Sequence, residues 1–325
     1  MEETNKLVTT FTCLGPVART CLETIDVENG SEYNRTLRTY LGKLDREIDK
    51  FVARGGHEPI RDQVDNETSH RIAIMRPTRD GLSYSNRIAT RWVAYRVYER
   101  ALEKSQQDCF NLYKHLSRQQ SLRSSAGWFF EGYVHDWFRL GGTFEADQIP
   151  IISDNTPPFS FKTVKSQSGN PNYFTTAEDL AQTVRVAGGH GIAPSAIEQY
   201  FIPFSRTYES VDSLVFSNHS TLLLFQITIA RQHGIKGHGI KQLIKALPET
   251  IKDIYIVFVV PEECLESYSK TQHLSNIENI RPNGTEPSIK QFRLAFTEEK
   301  MQAVAVYGLS EMQEEGEDDW GSDLG

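Results

Sequence analysis

The sequence predicts an α/β chain with a mixed central sheet flanked by helices. Residues 220–230, S-T-L-L-L-F-Q-I-T-I-A, and 253–260 are strand-length apolar runs. Between them, Ile240, Leu243, Ile244 and Leu247 recur at helical spacing over 239–247. Strand, crossover helix and strand make a parallel βαβ-like unit. A shorter extended stretch, 213–216, precedes the first run, and the intervening S-N-H reads as a hairpin connection that adds an antiparallel member.

The other elements follow in order. Leu37, Leu41, Leu44 and Ile48 repeat at helical spacing over 37–51, and Gly55-Gly56 stops that helix. Residues 57–81 are polar, charged and interrupted by Pro59 and Pro77, which reads as a connection or peripheral arm. A clearer helical pattern starts at Ser83, where Ile88, Trp92, Tyr95, Tyr98 and Leu102 recur and Cys109, Leu112 and Leu116 continue the stripe. Arg87, Arg91, Arg96 and Arg100 surround it, either as stems covering the edge of a core or as phosphate contacts. Residues 126–138 are too aromatic for an ordinary exposed helix, and Glu131 and His135 fall on one side of it. That aromatic segment suits a core or a self-association interface equally, so a homodimer stays open. Strands are expected at 144–152, 159–164, 200–204, 290–296 and 303–307, with a polar loop at 166–172 and a weak helix at 177–186. Pro203 favours the edge or the end of a sheet for its strand.

These signals divide the chain into an N-terminal extension or arm (1–82), an α/β domain (83–309) and a disordered acidic tail (310–325). Net charge is −8, but the tail holds Glu311, Glu314, Glu315, Glu317, Asp318, Asp319 and Asp323 with no Lys or Arg, which leaves −1 for residues 1–309. The body is near neutral with mildly basic central parts, and a DNA partner is compatible with it. Four cysteines, Cys13, Cys21, Cys109 and Cys264, lie far apart without a C-x-x-C pair, which favours a reducing, intracellular compartment or inert buried thiols. A secretory leader and a membrane-length apolar run are both lacking in the sequence, so no membrane partner is expected.

A polar trio interrupts the strongest strand signal. Gln226 and Thr228 share a face of 220–230 with Leu224 by the two-residue period, and the hairpin would bring Asp212 beside Gln226. With Glu131, Asp212 and Gln226 would form an oxygen-rich site for Mg²⁺ or Mn²⁺, hard cations that favour carboxylate and carbonyl oxygens. The competing reading is structural: Asp212 caps a turn, and Gln226 and Thr228 satisfy a buried strand edge. G-I-K-G-H-G-I-K at 234–241 lacks the spacing of an ATPase phosphate loop, and His190, His233 and His238 lack zinc spacing.

Three segments taken in order resemble the fungal and oomycete Crinkler and retrotransposon-hot-spot effector-like proteins over roughly residues 83–309. They are A-G-W-F-F-E-G-Y-V-H-D-W-F around Glu131, Y-E-S-V-D-S-L-V-F around Asp212, and F-Q-I-T-I-A-R-Q-H-G-I-K around Gln226. The resemblance implies a restriction-endonuclease-like PD-(D/E)XK core with a helical extension before it. It assigns Glu131 to the helical acid, Asp212 to the metal-binding aspartate and Gln226 to the second strand position, with Mg or Mn as cofactor. Thr228 stands where that pattern has Lys, whose charge orients water near phosphate, whereas threonine supplies a neutral hydroxyl. His233 and Lys236 are the candidates to replace it. The implied activity is metal-dependent hydrolysis of DNA, with an effector role and nuclear action. The alternative is a catalytically inactive effector or interaction module that binds a protein or nucleic acid.

Overall fold

The computed structural model describes residues 2–15, 25–26, 29–55, 71–77, 84–151, 157–165, 172–204, 208, 210–277 and 286–304. Contacts group them into two compact units, one comprising residues up to Gly132 and one running Tyr133–Gly308. The expected acidic tail at 310–325 lies outside the described residues. Among the described residues, no helix is long and apolar enough to cross a membrane.

The first unit is largely helical. After α1 (Glu2–Leu14), α2 spans Gly30–Ala53. It starts seven residues before the apolar stripe at 37–51 because Asn29 caps it, its side chain accepting from the Ser31 and Glu32 N–H groups. Tyr33, Leu37, Tyr40, Leu44, Ile48 and Phe51 are buried along it, and Gly55 follows its end at φ +81°. The expected arm contains one strand, β1 (Ala73–Pro77), which pairs antiparallel with β2 (Tyr84–Ile88) beyond its end. Ile88, expected to start a helical stripe, is therefore a strand residue. The helix begins only where the Thr90 hydroxyl accepts from the Val93 N–H at 3.1 Å, so α3 is Arg91–Lys104. The stripe then breaks at Ser105, whose hydroxyl caps α4 (Gln106–Arg118) by accepting from the Asp108 N–H. Arg96 and Arg100 reach Asp45 at 2.6 Å and Asp49 at 3.5 Å, tying α3 to α2. Helix α5, Arg123–Arg139, begins in this unit and ends in the next. Gly132 lets it lie close to Tyr98, since a Cβ there would stand 3.0 Å from the ring.

The second unit is built on an eight-stranded mixed sheet. Its strands and helices run β3 (Gly142–Ile149), β4 (Phe159–Thr163), β5 (Asn172–Phe174), α6 (Ala177–Val184), β6 (Tyr200–Pro203), β7 (Ser213–Phe216) and β8 (Thr221–Ile227). They continue through β9 (Ile235–Lys236), α7 (Gly237–Ala246), β10 (Asp253–Pro261), β11 (Leu274–Ser275) and β12 (Ser288–Phe296). The sheet order is β4-β3-β12-β10-β8-β7-β6-β5, with β9 and β11 forming a separate pair. Strand β10 is parallel to both β8 and β12, so β8, α7 and β10 are the crossover unit expected from the two apolar runs. Strand β7 is antiparallel to β8, as a hairpin requires.

Both faces of the central strands are covered, which explains why their sequences are apolar without alternation. On one face Leu222, Leu224, Ile254, Ile256 and Phe258 pack with Leu180 of α6 and Ile240, Leu243 and Ile244 of α7. On the other, Phe225 lies 4.6 Å from the ring of Phe138 at the end of α5 and 5.5 Å from that of Phe161. Two local expectations change and one holds. Strand β5 forms the sheet edge at the end of the expected polar loop, while the Pro203 strand is second from that edge with Pro203 at its end, as expected. Residues 303 and 304 belong to a helix, 298–304, that buries Met301 and Val304 after β12, while 305–307 lie outside the described residues.

Phe225 is fully buried and Phe204 is 59 % exposed. Phe225→Ala is expected to cost about 3–5 kcal/mol by loss of transfer energy and creation of a cavity. Phe204→Ala should stay within about 0.5 kcal/mol of the parent. Urea unfolding followed by circular dichroism measures both.

Candidate functional site

Because β7 and β8 are antiparallel, the start of one meets the end of the other, with Ser213 opposite Phe225. One position further on, Asp212 and Gln226 stand side by side. The Asp212 N–H donates to the Phe225 carbonyl at 3.0 Å. Its carboxylate Oδ2 accepts from Gln226 Nε2 at 2.7 Å and from the Ile227 backbone N–H at 2.8 Å. A side-chain oxygen thus takes the place of a strand carbonyl at the end of the ladder, satisfying a backbone donor that β7 is too short to reach.

A hard cation at this point would need several oxygen donors. Gln226 turns its amide N–H toward Asp212, so its carbonyl would join such a cation only after the amide turned over. Among the described residues, no three His, Cys, Asp or Glu side chains are grouped to hold a metal ion.

Thr228 lies one residue beyond β8. Its N–H donates to Val259 O at 3.0 Å, extending the pairing with β10, and its hydroxyl accepts from the Ala230 N–H at 3.1 Å. The Thr228 side chain therefore turns the chain as it leaves the sheet. Residues 229–233 are then held by the segment beyond β10 and by β12. The Cys264 thiol donates to Ile229 O at 3.6 Å and the Tyr268 hydroxyl to Ala230 O at 3.0 Å. The His233 N–H donates to Gln272 Oε1 at 3.1 Å, and Gln272 is itself held by Gln291 of β12, which accepts from its N–H at 2.7 Å and donates to its carbonyl at 2.9 Å.

His233 is half-buried, and its backbone carries that tie. Lys236 is exposed, pairs with Ser275 through β9 and β11, and accepts a hydrogen bond at its carbonyl from the Ser210 hydroxyl. That last bond joins the approach to Asp212 with the start of α7. The backbone there is tightly packed: a Cβ on Gly237 would stand 2.5 Å from Ser275 O and 2.7 Å from Asn276 O.

Glu131 belongs to the first unit, where its buried carboxylate is ion-paired with Arg91. His135, expected on the same helical side, takes a different partner. Its Nδ1 lies 2.7 Å from Tyr200 Oη, and the Tyr200 hydroxyl donates to Ser213 Oγ at 2.7 Å. All three are buried. Successive strand residues point to opposite faces, so this chain of hydrogen bonds runs on the α5 face while Asp212 and Gln226 face α7. Sequence reasoning missed Arg91, Tyr200 and Ser213 as polar partners. The signal for the last two was a tyrosine opening Y-F-I-P and a serine opening the otherwise apolar S-L-V-F.

Asp212→Ala is expected to remove about 1.5–3 kcal/mol, the range for hydrogen bonds to a charged group. Asp212→Asn, which keeps an acceptor, should lose less, and chemical denaturation ranks the two. Burial, with a smaller contribution from Cys264, pushes the Tyr268 phenol well above its ordinary value. The stability it contributes is complete below about pH 10, the ordinary phenol value, and declines as pH rises through that value because the unfolded chain ionises first. Tyr268→Phe should flatten that alkaline decline in a plot of melting temperature against pH.

No family model, curated protein or solved structure matches the chain.

Proposed function

We propose that the Tyr133–Gly308 unit is a catalytically inactive, restriction-endonuclease-like interaction module of the Crinkler and retrotransposon-hot-spot effector kind, acting in the nucleus. The observation that carries this reading is the double hydrogen bond at Asp212 Oδ2, from the Gln226 side chain and the Ile227 N–H. It gives the aspartate a structural task at the end of β8. Thr228 adds to it, since its hydroxyl accepts from Ala230 N–H and brings no positive charge to where water would be activated. The mixed sheet with its parallel centre is compatible with the nuclease-like core, and the carboxyl end of β8 is where an open α/β sheet offers a crevice.

A second reading, the Mg- or Mn-dependent hydrolysis of DNA that the sequence resemblance implies, is favoured by one contact: the Asp212 and Gln226 side chains already stand 2.7 Å apart at a strand end. Incubation with supercoiled plasmid and with single- and double-stranded oligonucleotides, in Mg²⁺ or Mn²⁺, separates the two. The inactive module leaves every substrate intact, as does its Asp212→Ala variant. Cleavage that disappears in Asp212→Ala protein of unchanged circular dichroism would sink the module reading and establish the hydrolytic one.

A further inference from the structure

Residues 213–248 contain no Asp or Glu, while they contain Arg231, Lys236, Lys241 and Lys245 together with His219, His233 and His238. The fold concentrates part of this charge on one surface. Helix α7 buries Ile240, Leu243 and Ile244 against the sheet, so its outer side presents His238, Lys241, Gln242 and Lys245 at three- and four-residue intervals. His238 and Gln242 are linked at 3.0 Å, which holds the imidazole along the helix. At the other end, exposed Arg185 donates to the carbonyl of Ala246 at 2.8 Å, adding a guanidinium where the helix dipole is negative. The stripe from His238 to Ala246 is about 12 Å long at about 1.5 Å per residue. Among the described residues, Lys241 and Lys245 have no ion-pair partner. The acidic residues on flanking elements are Glu178 and Asp179 in the first turn of α6, the latter bound to Thr175 N–H at 2.8 Å, and Glu249 beyond the end of α7.

We infer that this outer face of α7, with His238, Lys241, Lys245 and Arg185, is a docking surface for the phosphate backbone of a nucleic acid. The inference rests on the interaction-module reading and names its partner. The argument is charge complementarity: two lysines one turn apart on a rigid helix with a guanidinium at its end, free of interspersed carboxylates, suit a polymer with a charge about every 3.4 Å along each strand. Contacts of this kind go to phosphate and carry no base sequence, so the surface binds without sequence preference.

Fluorescence anisotropy of the full chain with labelled duplex DNA, single-stranded DNA and RNA, across a series of NaCl concentrations, tests it. The Lys241→Glu/Lys245→Glu variant is expected to bind at least about tenfold more weakly at low salt. Its salt slope on duplex DNA should be shallower by nearly 2, since each neutralised phosphate accounts for about 0.9. Lys162→Glu/Lys290→Glu, the same charge change on exposed lysines of β4 and β12, should bind as the parent does. Equal binding by parent and α7 variant, no binding of any of the three nucleic acids, or tighter binding of a labelled poly-glutamate peptide than of the oligonucleotides would overturn the docking surface. None of these outcomes bears on cleavage. Plasmid cleavage in the separate assay would remove the inactive-module reading and leave the anisotropy comparison to stand or fall by itself.

Discussion

Everything in the Tyr133–Gly308 unit depends on the parallel pairing of β8 with β10, with side chains buried on both faces. Seven residue pairs, from Thr221 opposite Asp253 to Ile227 opposite Val259, are held in one register. A slip of one residue would exchange Leu224 and Phe225 between a face lined by α6 and α7 and a face lined by aromatic rings, where neither volume fits. That register in turn fixes where β8 ends. Its end then decides which side chains meet β7, which direction the chain leaves in, and how α7 begins.

The end of β8 concentrates polar groups for a reason that precedes any chemistry. A central strand that outruns its antiparallel neighbour leaves backbone donors without a ladder partner in a buried setting, which is costly. Asp212 supplies an acceptor to Ile227, and Thr228 supplies one to the turn after it. Gln226 then fits as the neutral donor that completes the same carboxylate oxygen. A well-terminated strand alone thus asks for Asp, Gln and Thr at these positions. Thr228 serves the turn with a neutral hydroxyl.

The centre of this fold is clearly legible in the sequence because both-face burial writes itself as uninterrupted Leu, Ile, Val and Phe. The 213–216 hairpin, the 220–230 run, the helix at 239–247 and the 253–260 run all lie within a few residues of the positions their patterns mark. Departures cluster where a single polar side chain overrides periodicity. Ile88 fits the spacing of Trp92 and Tyr95, yet Thr90 starts the helix after it, and Ser105 breaks one stripe into two helices. The adjacency of Asp212 and Gln226 is legible from strand alternation and hairpin geometry. The bonding of Glu131 to Arg91 and of His135 to Tyr200 is not, because helical spacing says which residues share a side and nothing about which distant residue arrives there.

Tyr200 has one proton to give. With that proton donated to Ser213 Oγ, the bond between His135 and Tyr200 is donated by the imidazole Nδ1–H. A nitrogen-15 spectrum that followed this N–H would lose its signature whenever the strand carrying Tyr200 or the one carrying Ser213 pulled away, making His135 a local reporter of whether the aromatic face of the sheet is intact.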